Sequence, residues 1–363
     1  MGELPAWQIP ITETPGSQYS TYGGERSPSR RGHGHRLCRV EAAREGATIA
    51  KQNQSQGESM ASSSGTETGI RVGFIGLGLM GKPMARNLLA AGNRLMVASR
   101  SRGPVDELVT AGASASTGLA ELAGFAEVVI TMLPTPAVTR EVVLQHGLLE
   151  AMRPGSLFID MGTETPELAK EIHARAGELG VEALDAPVSG GDTGAIAGTL
   201  SIMAGGSESA FRRAAPLFGA MGTSIRHVGG AGSGQAVKAV NQVMVAGILA
   251  TLAEGLALLE RAEVDVAEAL AALAGGRAGS TLLEVKAAQM LERRYQPGFR
   301  VELHLKDLGI VDDFARSSGV SLPFTALATQ MLRAVEASGG AMLDHCAIIE
   351  AVRGLSRLEV SGG

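Results

Sequence analysis

The sequence predicts an α/β domain on a parallel sheet, followed by an all-α domain. Three observations carry this. From residue 70, short apolar runs alternate with helical stretches. A Gly76-x-Gly78-x-x-Gly81 turn joins the first run to the first helix. Beyond Gly234 strand signals stop and only helical periods remain. A chain of 363 residues is long enough for both domains.

In chain order, residues 70–75 read as a strand, 76–81 as a turn and 82–91 as a helix closed by Gly92. Further strands are expected at 94–98, 127–132, 156–160, 182–186 and 200–204, with helices at 139–144 and 166–179. Such alternation implies a parallel sheet with helices on both faces. Residues 236–262 then read as one long apolar helix. It holds Asn241, Gln242, Thr251 and Glu254, which suits a buried core helix better than a membrane span. Helical periods follow at 266–273, 281–292, 305–317, 323–337 and 344–353. The expected domains are 69–230 and 231–363.

Residues 1–68 differ. About a quarter of them are hydrophobic, against about half of the rest, and Ser, Gly, Arg, Gln and Pro dominate. Such a segment buries too little apolar surface to offset its ordering entropy, so it is expected to be a disordered extension. It lacks a secretory apolar core. Seven acids balance its seven bases, which weighs against organelle targeting, and Met60 is the expected natural start.

Composition excludes several function classes. With 32 Lys plus Arg against 37 Asp plus Glu, the net charge is −5, and aromatics are 3% of residues. That surface suits neither phosphate-backbone binding nor base stacking, so no nucleic-acid partner is expected. The two cysteines, Cys38 and Cys346, form no metal or disulfide pattern. No metal and a reducing, cytoplasmic setting are expected.

Five signals bear on chemistry. The glycine turn would let backbone amides approach a pyrophosphate at a helix N-terminus. After the second strand stand Ser99-Arg100-Ser101-Arg102, with no carboxylate before Asp106. An acid there would bind the ribose 2′-OH of NAD. Arg100 instead favours the 2′-phosphate of NADPH, unless it is an ordinary solvated arginine. In Asp185-Ala-Pro-Val-Ser189-Gly190-Gly191, successive glycines make either an anion nest or a plain polar loop. In Gly232-x-Gly234-x-x-x-Lys238-x-x-Asn241, the lysine and asparagine share one face of an apolar helix. A lysine desolvated there loses its proton more easily and can serve as a general acid, unless it snorkels to solvent. His304-Leu-Lys306-Asp307 reads, by itself, as a helix-opening pair at the surface.

Together, "VGFIGLGLMGKPMARNLLAAG", "TMLP", "DAPVSGG", "GSGQAVKAVNQ" and "HLKD" resemble the β-hydroxyacid dehydrogenase family over about residues 70–360. Gln242, "GGRAGSTLLEVKA" and "PGFRVELHLKDL" are most similar to its branch acting on tartronate semialdehyde. The resemblance implies a Rossmann-type domain, a long interdomain helix and a helical C-terminal domain that assembles into dimers or tetramers. It implies that Lys238 is the catalytic lysine and Asn241 its partner. Ser189, Gly190 and Gly191 would bind a substrate carboxylate. Gly76, Leu77, Gly78, Leu79, Met80, Gly81, Arg100, Leu133, Pro134, Val138, Thr163 and Lys306 would contact the cofactor. The expected activity is reduction of a small carboxylate-bearing semialdehyde to its hydroxyacid. A 3-hydroxyisobutyrate dehydrogenase, a succinic semialdehyde reductase and a non-catalytic NADP(H)-binding module are the alternatives. One position departs from the family: Asp160-Met161-Gly162-Thr163 has glycine where the family carries a hydroxyl residue.

Overall fold

The computed structural model describes residues 69–356. The expectations for residues 1–68, including Cys38 and Met60, and for 357–363 lie outside the described residues. Strands β1 (Arg71–Ile75) and β2 (Arg94–Ala98) flank α1 (Gly81–Ala90). Helix α2 (Arg102–Thr110), β3 (Ser114–Ala115) and α3 (Leu119–Phe125) follow, then β4 (Val128–Thr131). Helix α4 (Pro136–Arg140) opens on a Thr135 cap, widens into a π turn at Glu141–Gln145 and leads to α5 (Leu148–Ala151). Next come β5 (Leu157–Asp160), α6 (Pro166–Glu178), β6 (Glu182–Asp185), β7 (Val188–Ser189) and α7 (Gly191–Ala197). Strand β8 (Leu200–Gly206), α8 (Glu208–Met221) and β9 (Gly222–Gly229) complete the domain.

The strand order is β3-β2-β1-β4-β5-β6-β8-β7, with β9 on the other side of β8. Strands β1 to β6 are parallel, as the alternation implied. Strand β8 corrects that expectation: it runs antiparallel to β6 and β7. A parallel return needs a crossover of a dozen or more residues. Only residues 190–199 separate β7 from β8, so the chain doubles back through α7.

Side chains alternate across the sheet with period two. Val72, Phe74 and Ile130 pack with Met84, Leu88, Leu108 and Phe218 on one face. Ile75, Val129 and Phe158 pack with Leu122, Leu148, Leu149 and Ile172 on the other. Each such side chain, fully buried, contributes roughly 1.5–3 kcal/mol. Sequence reading passed over β3, β7, β9 and helices α2, α3, α5, α7 and α8, while the helices expected at 139–144 and 166–179 are present as α4 with its π turn and as α6. Strand β9 is largely exposed and β3 has two exposed residues, so neither carries an apolar run.

Helix α9 (Ser233–Leu259) spans 27 residues and is the spine of the C-terminal domain. By length and composition it could cross a membrane. Here Ala246, Leu249, Ala253 and Leu256 instead pack with Met290, Leu308, Leu332 and Ile348. Those residues lie on α11 (Thr281–Leu291), α12 (Val301–Ser318), α13 (Pro323–Val335) and α14 (Ile348–Leu355), after α10 (Val266–Ala274). The helix expected at 344–353 is in fact a short 3-10 turn, His345–Ala347, followed by α14.

Candidate active site

The loops after β1, β2, β4 and β5, the Ser189–Gly191 turn and helices α9 and α12 carry the candidate site at the C-terminal edge of the parallel strands, where ligands of such sheets bind. The glycine turn follows β1. Gly76 has φ +98°, and its amide donates to Ala98 O at 2.9 Å, which sets the turn against the end of β2. A Cβ on Gly76 would lie 2.3 Å from Met132 O, and one on Gly81 would lie 1.9 Å from Gly76 O. A Cβ on Gly78 would meet nothing within 4 Å. The turn therefore closes tightly on the protein side and stays open where a diphosphate would approach. No side chain caps the start of α1, which leaves its amides for that anion. Leu77 is buried, Met80 half-buried and Leu79 exposed. These features fit a dinucleotide.

Arg100 stands two residues beyond β2 and is exposed. Leu133 and Val138 are half-buried and Pro134 is exposed, all on the segment between β4 and the end of α4. Thr163 is half-buried just past β5. Lys306 reaches it from α12, donating to Thr163 O at 3.3 Å. The Lys306 ammonium also lies 2.9 Å from Asp307 Oδ1, and Asp307 is buried. The expected surface pair is thus a junction between the domains, which its local spacing concealed.

Lys238 is 6% exposed, so it does not snorkel. Its Nζ donates to Val188 O at 2.8 Å, against the Ser189–Gly191 turn. Burial pushes its ammonium down to about 8; nearby Asp307 pulls the other way and Lys306 adds to the fall. Asn241 Nδ2 donates to Gln242 Oε1 at 2.7 Å, and Gln242 Nε2 donates to Asp307 Oδ2 at 2.6 Å. That chain orients the asparagine from α12. His304, beneath it, is buried; burial pushes its imidazole down to about 4, and Nδ1 lies 3.2 Å from His345 Nδ1. Gly190 has φ +140° and Gly191 φ +64°, conformations that suit glycine, and α7 begins at Gly191.

Asp185 does more than lead the Asp185–Gly191 motif. Its Oδ1 accepts from Gly232 N at 2.9 Å and its Oδ2 from Gln235 N at 3.0 Å. It thereby docks the start of α9, and with it Lys238, onto β6. Gln235 in turn accepts from Glu164 N and donates to Gly162 O. Glu164, Gln235 and Thr139 escaped sequence reading. An acid near a helix start ordinarily reads as a solvated first-turn residue. Among the described residues, no group of three or more His, Cys, Asp or Glu is placed to hold a metal.

The fold, the turn and the relatives they match define an NAD(P)-dependent oxidoreductase acting on hydroxyl groups. Residues 71–229 match the model described as the NAD binding domain of 6-phosphogluconate dehydrogenase. Residues 232–352 match that for NAD-binding of NADP-dependent 3-hydroxyisobutyrate dehydrogenase. The 2-hydroxy-3-oxopropionate reductase of Escherichia coli is 40% identical over 285 residues, 78% of this chain and 97% of the relative. The NAD-dependent L-serine dehydrogenase of Pseudomonas aeruginosa is 38% identical, over 77% of this chain and 96% of its own. The Mycobacterium tuberculosis 3-hydroxyisobutyrate dehydrogenase structure with L-serine superposes with a TM-score of 0.72 at 34% identity, covering 79% of this chain and 100% of that one. The chain belongs to the β-hydroxyacid dehydrogenases, within the 3-hydroxyisobutyrate dehydrogenase-like group.

Proposed function

We propose that the chain reduces tartronate semialdehyde to D-glycerate, reversibly, with NADPH favoured over NADH. The observation that carries the site is the contact between Lys238 Nζ and Val188 O. It sets a buried amine beside the turn that would hold the substrate carboxylate. Gly76 to Gly81, Arg100, Leu133, Pro134, Val138, Thr163 and Lys306 would hold the dinucleotide. When bound, that cofactor supplies or accepts a hydride.

The chain's own residues do the rest. Backbone amides of Gly190 and Gly191 and the Ser189 hydroxyl bind the carboxylate and fix the aldehyde's angle. Lys238 gives a proton to the carbonyl oxygen as negative charge grows there, and takes it back in oxidation. Asn241, turned by Gln242 and Asp307, donates to the same oxygen. Support for the substrate comes from the Escherichia coli reductase and from Gln242 beside Asn241. The Pseudomonas relative brings L-serine into the same screen. Arg100 at the end of β2, with no carboxylate beside it, supports NADPH.

The domain boundaries 69–230 and 231–363, a cytoplasmic setting and a homodimer or homotetramer belong to this proposal. Val237, Val240, Met244 and Leu258 leave an exposed apolar stripe on α9, which supports assembly. The test is a steady-state screen of tartronate semialdehyde, succinic semialdehyde and the aldehyde of 3-hydroxyisobutyrate, each with NADPH and NADH, and of L-serine with NADP+ and NAD+. The expected result is the highest kcat/KM for tartronate semialdehyde with NADPH. Lys238→Ala should lose about 10²–10⁴-fold in turnover while still binding NADPH. Near-normal turnover in that variant overturns the role. Tight NADPH binding with no turnover of any short semialdehyde would favour a non-catalytic binding module.

A further inference from the structure

Glu164 is fully buried beside the site, and the mechanism above does not use it. Its Oε1 accepts from the Thr139 hydroxyl at 2.6 Å, and its Oε2 is buried without a hydrogen-bond partner. Its backbone amide donates to Gln235 Oε1 at 2.9 Å, while Gln235 Nε2 donates to Gly162 O at 3.0 Å. Position 162 explains how the carboxyl fits. A Cβ there would lie 2.9 Å from Glu164 Oε1 and 3.3 Å from Asp160 Oδ1. The missing side chain at Gly162 and the buried acid at Glu164 are therefore one feature: the carboxyl fills the space that glycine leaves.

We infer that Glu164 is a positioning residue whose carboxyl clamps the segment carrying Thr163 to α4, which carries Val138. This rests on the proposed reading of Thr163 and Val138 as cofactor contacts. Thr139 follows Val138 directly, so its hydrogen bond to Glu164 ties the two walls of that pocket together. Gln235 and Lys306 hold the same segment from α9 and α12. The clamp works in its neutral form. The groups facing it are Asp160 from β5, Thr139 from α4, Gln235 from α9, and Lys306 and Asp307 from α12. Burial, and then the Asp160 charge, hold its proton on well above the usual carboxylate range. An anion with one unpartnered oxygen there would be costly.

The test uses Glu164→Gln, which keeps the shape and the oxygen facing Thr139, and Glu164→Ala, which removes the clamp. NADPH affinity is read by fluorescence titration from pH 6 to 9. Melting temperature is read over the same range without ligand. Glu164→Ala should weaken NADPH binding roughly three- to tenfold, the scale of one hydrogen bond, while Glu164→Gln stays near wild type at pH 6. The stability that a raised carboxyl contributes is complete below its unfolded value near 4.5 and is lost as pH rises toward its folded value. Glu164→Gln lacks this loss, so its melting temperature should gain on wild type as pH rises. Asp160 titrates in both proteins. Equal weakening of NADPH binding by Gln and Ala overturns the clamp, as does unchanged binding in Glu164→Ala. A melting gap that is flat with pH overturns the neutral form, and reads out even if the alanine variant fails to fold. Absence of dinucleotide binding in wild type overturns the cofactor reading and the clamp's role with it, whereas a melting gap that grows with pH would still support the buried neutral acid.

Discussion

The ionisation of Lys238 is set by neighbours that can be changed one at a time. Burial brings it to about 8, Asp307 raises it and Lys306 lowers it. At that value about one amine in ten is uncharged at pH 7; at the ordinary lysine value it would be roughly one in three thousand. In the proposed hydroxyacid oxidation, with Lys238 as the base, kcat/KM should climb about tenfold per pH unit and level above pH 8. Asp307→Asn keeps an oxygen for Gln242 Nε2, now 2.6 Å from Asp307 Oδ2, but removes the charge. Its break should move to lower pH. Lys306→Met removes a competing cation, so its break should move higher. Unit charges several ångströms apart, at an effective dielectric near 20, exchange roughly 2 kcal/mol, so each shift should be on the order of one pH unit. The assay is initial rate against pH from 6 to 10, at saturating cofactor and constant ionic strength. A wild-type break near the free-lysine value, or breaks that move in the same direction in both variants, would refute the reasoning.

Three further outcomes follow from the same geometry. Gly81→Ala, whose Cβ would lie 1.9 Å from Gly76 O, should lower the melting temperature and abolish measurable NADPH binding; an unperturbed titration would contradict the tight turn. Asp185→Asn removes the charge from two amide contacts at the start of α9, at a cost of about 1–3 kcal/mol. Calorimetry should show a drop of several degrees, and kcat should fall as Lys238 shifts. Arg100→Ala should raise the KM for NADPH about tenfold and leave NADH unchanged, which paired steady-state assays would check.

Much of the site was legible because its signals are local. Gly76 and Gly81 announce their turn by spacing, and the structure shows why each resists a Cβ. Lys238 and Asn241 share a helix face because three residues separate them. Glu164 could not be read this way. It sits between two threonines just before the Pro166 helix start, where an acid is ordinarily solvated. Its burial depends on Thr139, 25 residues earlier, and on the gap at Gly162.

The sequence by itself determined the alternation of the central strands with helices, the glycine turn, and the lysine set into an apolar helix, since periodicity and backbone chemistry act between near neighbours. Only the tertiary structure decided that β8 runs against β6, that Asp185 receives the start of α9, and that Lys306 meets Thr163 across 143 positions of chain. Those contacts follow from how buried faces stack and how the chain returns. No local spacing records them, because the energy that selects them is gained only when distant segments exclude water together.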